Sequence, residues 1–179
     1  MPWHNTIMHQ LILLRHAKAE PQGKGTDHER ALAESGRAAA GRMGGAMRRA
    51  GLAPDVVLVS TATRTRQTLD VLESVNVWDE WPNIDALPQL YMATAGQIRD
   101  VLQDLPETVR SAMVIGHNPG LHELALSLAG PLRPSPALKR LDEGFPTAAL
   151  AEFMIATPWR RLKPGTAALT RLLLPRDLA

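Results

Sequence analysis

Short apolar runs recur along the chain and alternate with stretches of helical periodicity. Residues 10–14, 55–59 and 111–116 are runs of strand length with little polar alternation, the pattern of strands covered on both faces. A weaker strand falls near residues 84–87. Residues 17–34 break the first pattern with Pro21, Gly23 and Gly25 among charges, so they form a loop leaving the C-terminal end of the first strand. From about Ser35, the positions Ala39, Met43, Ala46, Met47 and Ala50 share one helical face. Arg48 and Arg49 lie in the last turn, and Gly51 is placed to end it. A second helix, with Ser60 and Thr61 as caps, runs to about Val75 with Leu69 and Leu72 inward, and a third spans about Gly96 to Leu105. A fourth follows His117-Asn118-Pro119-Gly120 with Leu121, Leu124, Ala125 and Leu128 on one side. Residues 131–136 read as a connector. Two β-like segments, 147–155 and 166–174, then close the chain.

This alternation predicts an α/β fold, a three-layer α/β/α sandwich around a mainly parallel central sheet. Residues 158–165 are too few for a parallel crossover, so at least one strand near the C-terminus runs antiparallel. A length of 179 residues fits one domain, assigned to 10–179, after an N-terminal extension at 1–9 that shows no pattern and contains a second possible start at Met8.

Composition narrows the chemistry. The chain has no Cys, which excludes disulfides, thiolate nucleophiles and cysteine-based metal sites. Its formal charge of +2 gives no footprint for nucleic acid, and no apolar run reaches the roughly 18 residues of a membrane span. The start of the chain lacks the charged and apolar segments of a signal peptide, so a cytoplasmic protein is expected, without nucleic-acid or membrane partners. His4, His9, His28 and His122 read as surface or loop residues, and Arg66 and the cluster Arg160-Arg161-Leu162-Lys163 as solvated. Trp78 and Trp81 either cover a helix end or border the site.

In open α/β sheets, ligands bind at the C-terminal ends of strands. The first strand ends in Arg15-His16, the second leads to Arg64 in the first turn of a helix, and the fourth ends at His117. Two arginines and two histidines therefore converge on an anion-sized pocket, with no carboxylate at the corresponding positions. A phosphoryl group is the natural occupant.

Leu-Leu-Arg-His-Ala at 13–17, Ser-Thr-Ala-Thr-Arg-Thr-Arg-Gln-Thr at 60–68 and Gly-His-Asn-Pro at 116–119 resemble the motifs of the histidine phosphatase superfamily, also called phosphoglycerate-mutase-like. The small size and the ending Leu-Leu-Leu-Pro-Arg-Asp-Leu at 172–178 most resemble its SixA-type phosphohistidine phosphatases. The resemblance implies that His16 is transiently phosphorylated, that Arg15 and Arg64 clamp the phosphoryl group, and that His117 is the second histidine of the pocket. It places Arg30 near the substrate entrance, and Asn118 of the third motif is a further substrate-binding candidate. No metal and no cofactor are implied. The expected substrate is a phosphorylated protein, such as a histidine phosphotransfer domain, or a small phosphorylated molecule.

Three departures matter. Ala17 replaces the family's glycine after Arg-His, and Ala19 stands where mutase-like members carry a serine. Gln89 falls where phosphatases of the family carry a proton-donating glutamate, and glutamine cannot donate that proton. Glu20, Asp27, Glu29 or Tyr91 can substitute, or the substrate needs little acid help, as a phosphorylated imidazole does. The competing readings are a general phosphomonoesterase and a phosphoprotein-binding module without turnover.

Overall fold

A computed structural model describes residues 8–130 and 135–178. Its strands are β1 (His9–Arg15), β2 (Val56–Ser60), β3 (Asn83–Leu87), β4 (Ser111–Gly116), β5 (Leu150–Ile155) and β6 (Ala167–Leu173). They form one six-stranded sheet in the order β3-β2-β4-β1-β5-β6. The first four strands pair in parallel, whereas β5 runs antiparallel to both β1 and β6. The short link after β5, with a 3-10 turn at Trp159–Arg161, permits only that return.

Alternate residues of each central strand enter opposite layers, which is why these runs are apolar throughout. On one face, Met43 and Met47 of α1 (Glu34–Arg49) and Leu69 and Leu72 of α2 (Thr63–Ser74) pack on Ile12, Leu14, Val57 and Val59. On the other, Leu11, Leu13, Leu58 and Val114 meet Ile98 and Leu102 of α3 (Ala95–Gln103). Leu121 and Leu124 of α4 (Gly120–Ala129) and Leu141 of α5 (Pro136–Glu143) complete that layer. The three layers are those expected. At the sheet's edge, β3 is exposed from Asn83 to Ala86.

Three readings need correction. The connector assigned to 131–136 ends earlier, because Pro136 opens α5 at a position that tolerates a missing N–H, and the Ser135 hydroxyl accepts from the Leu138 amide. Residues 131–134 lie outside the described residues. Helix α2 is capped by Ala62 with no side-chain bond, because Ser60 still belongs to β2 and is turned to another use. His9 is a core residue at 1% exposure, against Trp159 with ring centroids 4.7 Å apart and 3.1 Å from Glu107. Its place at the head of an apolar strand overrides its polarity.

Trp78 is buried and donates its indole N–H to the Leu52 carbonyl (2.9 Å), so it covers the end of α1, and Trp81 packs edge-on against it. Among the described residues, no helix is long and apolar enough to cross a membrane.

Candidate active site

The C-terminal ends of β1, β2 and β4 meet at one edge of the sheet, and the polar residues that follow them are buried there. His16, Arg64 and His117 are 7%, 2% and 2% exposed. The His16 amide donates to the Gly116 carbonyl (3.1 Å), tying the end of β1 to β4. Behind it, the amide of Ala148 reaches the carbonyls of Arg15 (3.1 Å) and His16 (3.0 Å). Ala148 adopts a left-handed φ of 62° there, a conformation costly for a residue with a Cβ.

His16 Nδ1 lies 2.7 Å from the Ala17 carbonyl, which only accepts, so the ring proton sits on Nδ1 and Nε2 keeps its lone pair. The ring centroid of His117 is 5.3 Å away. Burial pushes the His16 pKa from 6.5 down to about 4, and the positive charges of Arg64, Arg15 and Arg30 add to that against the Ala17 hydrogen bond. His117 falls to about 3, again by burial first, with His16 and Arg64 next. Arg15 is lowered too, by burial and by Arg64. Both imidazoles are therefore neutral at pH 7.

His117 Nε2 sits 2.7 Å from the hydroxyl of Ser60, while its Nδ1 is buried with no hydrogen-bond partner among the described residues. The buried Nε groups of Arg15 and Arg64 are likewise unpartnered. Three buried nitrogens of the polar cluster thus lack a protein acceptor, whereas buried polar atoms ordinarily have one.

Positions close to this cluster are set by tight backbone contacts. A Cβ on Gly120, just after His117-Asn118-Pro119, would lie 1.9 Å from the Ala93 carbonyl oxygen, so only glycine lets α4 start there. The Asn118-Pro119 peptide is cis, and Asn118 Nδ2 donates to the Phe145 carbonyl (2.7 Å), as does Arg15 (3.2 Å). On α2, the Thr68 hydroxyl accepts from the Ala17 amide (3.0 Å) and donates to the Arg64 carbonyl (2.7 Å). One oxygen therefore fixes the first motif against the second.

Several residues of the cluster take roles that the sequence reading did not give them. Asp27, from the loop after β1, places its carboxylate against Arg64 (3.1 Å), Arg30 (2.9 Å) and the Tyr91 hydroxyl (2.5 Å), and its main-chain oxygen accepts from Arg64 (2.8 Å). The strand ends themselves carry no carboxylate, and the loop after β1 delivers the one that meets Arg64. The Tyr91 hydrogen bond, with the arginines, holds Asp27 down at about 2. His28, expected on the surface, packs edge-on against Tyr91 at 4.8 Å and lies 3.0 Å from the Thr61 hydroxyl. Arg30 is tied to Asp27 and to the Glu20 carbonyl (3.0 Å). Ser60 was legible only as a helix cap. Gln89 is exposed, on a 3-10 turn after β3, and it is Tyr91 two residues later that reaches His117, with ring centroids 5.5 Å apart.

Residues 11–108 match the model of the histidine phosphatase superfamily, branch 1. The chain belongs to that superfamily. An uncharacterized protein of Mycobacterium tuberculosis is 37% identical over 169 residues, covering 91% of this chain and 100% of the relative. Among solved structures, the candidate phosphohistidine phosphatase SixA of Nakamurella multipartitia superposes with a TM-score of 0.79 at 28% identity, over 94% of this chain and 96% of that one. The candidate phosphohistidine phosphatase SixA of Agrobacterium tumefaciens gives 0.77 at 28% identity, over 93% and 98%. This histidine phosphatase is a SixA-like member of its superfamily, and family and neighbours together make it a phosphatase.

Proposed function

We propose that the protein hydrolyses phosphohistidine on a protein, or a similarly labile phosphoramidate, through a phosphohistidine intermediate on His16. The observation that carries the reading is the state of His16: Nδ1 bound to the Ala17 carbonyl, and Nε2 unprotonated beside two guanidinium groups. A buried neutral imidazole is a ready nucleophile at pH 7. Arg15 and Arg64 supply donors for the phosphoryl oxygens, and His117 adds one if Ser60 donates to its Nε2, leaving the ring proton on Nδ1. Charge stabilisation of this kind is most of what phosphoryl transfer requires.

In the first step Nε2 of His16 attacks phosphorus, and the bond to the leaving nitrogen breaks with its electron pair. In the second, water attacks the phosphorylated His16, releasing inorganic phosphate and restoring the ring. The preference for a P–N bond follows from the acid supply. Asp27, the carboxylate drawn onto Arg64, is held ionised at about 2, and the Tyr91 proton is committed to it. Gln89 is exposed and carries no acidic proton. A leaving imidazole that takes its proton from solvent suits such a site better than an alkoxide does.

Incubation with phosphoimidazole or a phosphorylated histidine phosphotransfer domain is expected to release inorganic phosphate and to label the protein with phosphate that is stable to base and labile to acid. His16→Ala abolishes both. Release without any trapped label, or a label that survives in His16→Ala, overturns the intermediate.

A further inference from the structure

The phosphate site has two flanks, and they differ. On one side the Asp27 carboxylate gathers Arg30, Tyr91 and Arg64 around itself. The other side is concave. There Arg15 and Asn118 form one wall of a cavity of about 530 Å³ whose remaining surface includes Phe145, Arg140, Glu143 and Arg176.

Topology explains the cavity. Because β5 runs against β1 and β6 runs against β5, the start of β5 and the end of β6 fall at the same sheet edge as His16. Leu14 is level with Leu150, and Leu150 with Leu173. Phe145, ahead of β5, and Arg176, in the 3-10 turn just after β6, are thereby delivered beside Arg15. The floor is polarised backbone, since the Phe145 carbonyl accepts from both Arg15 and Asn118. Asn118 Oδ1 is buried there without a partner among the described residues.

Charge sets the chemistry of an occupant. Arg140 is paired with Asp177. Arg176 makes no ion pair among the described residues, and Glu143 is the lone opposing carboxylate in the lining. With Arg15 turned to the phosphoryl group, Arg176 is the cation left to meet a second anionic group, and Glu143 opposes it.

We propose that this cavity receives the leaving-group side of the substrate and selects one carrying a carboxylate or a second phosphate, with Arg176 as its specificity-determining residue. The inference rests on the phosphate-site reading, and a binding experiment that needs no turnover separates the two. By calorimetry, methylphosphonate and a series of ω-phosphonocarboxylates, two to five carbons long, are titrated into the full chain, each against the alkylphosphonate of matched length. The best phosphonocarboxylate is expected to bind about 10-fold more tightly than its match, the effect of one charge-assisted contact. Arg176→Ala brings that ratio close to 1, Arg176→Lys retains part of it, and Glu143→Gln, which removes the opposing charge, raises it. Both positions are exposed, so folding tolerates the changes.

A ratio of 1 for every member, with methylphosphonate binding, overturns the cavity's role and leaves the phosphate site standing. A ratio insensitive to Arg176→Ala overturns it equally. Absence of any phosphonate binding overturns the phosphate-site reading and this inference with it.

Discussion

The Asp27 carboxylate accepts from side chains on three separate pieces of chain: Arg64 at the start of α2, Arg30 in its own loop and Tyr91 after β3. Arg64 is thereby oriented through both its terminal nitrogens, one on the carboxylate and one on the main-chain oxygen. Asp27→Asn keeps the shape and removes the charge, and it is expected to lower kcat/KM about 10-fold and the thermal midpoint modestly, because the ionised carboxylate favours the fold but is partly exposed to solvent. An unaltered kcat/KM would show that the carboxylate does not orient Arg64. That Arg15, His16, Arg64 and His117 gather at one sheet edge was legible because each lies at or within a few residues of the end of a recognisable strand, in a short motif. Asp27 and Tyr91 were legible only as possible acids. They stand 64 positions apart, and a loop's path is not written in local periodicity.

At the scale of elements, periodicity located every strand to within a few residues, because the sheet's central strands are buried on both faces and carry no polar alternation to confuse them. Helix α5 was lost behind its prolines. Ser135 followed by Pro136, with Leu138 and Leu141 three apart, was the signal that a capped helix begins there. Glycines inside helices proved to have unequal roles. Gly41 has nothing nearer its missing Cβ than Val71 at 3.9 Å, so Gly41→Ala is expected to stabilise α1 by about 0.5–1 kcal/mol. Gly120→Ala is expected to cost about 1–3 kcal/mol or more, since the Ala93 carbonyl blocks the Cβ, and to reduce turnover by displacing the start of α4 behind His117. Urea unfolding checks both, and a Gly120→Ala protein as stable and active as the parent refutes the close approach.

For the whole molecule, the buried histidines make stability pH-dependent. As pH falls below 6.5, the unfolded chain protonates its histidines, while folded His16 stays neutral to about 4 and His117 to about 3. The unfolded state therefore binds more protons, and stability is lost progressively through that window. Asp27 extends the loss below 3.8, where it protonates when unfolded, down to about 2 in the folded state. The urea midpoint is expected to drop from pH 7 to pH 4, and less steeply in the double variant His16→Ala, His117→Ala. Equal slopes in the two proteins would contradict the assignment.

The sheet leaves two strands unpaired on one side, β3 and β6. Strand β3 is only five residues long and holds Asp85 in its middle, facing solvent. Strand β6 carries Arg171, and its pairing with β5 slips at Glu152 and Phe153. A second copy adding a strand at either side would have to desolvate a charge or match an irregular ladder. The open rims of the sheet are thus poor templates for the strand-to-strand stacking that drives aggregation.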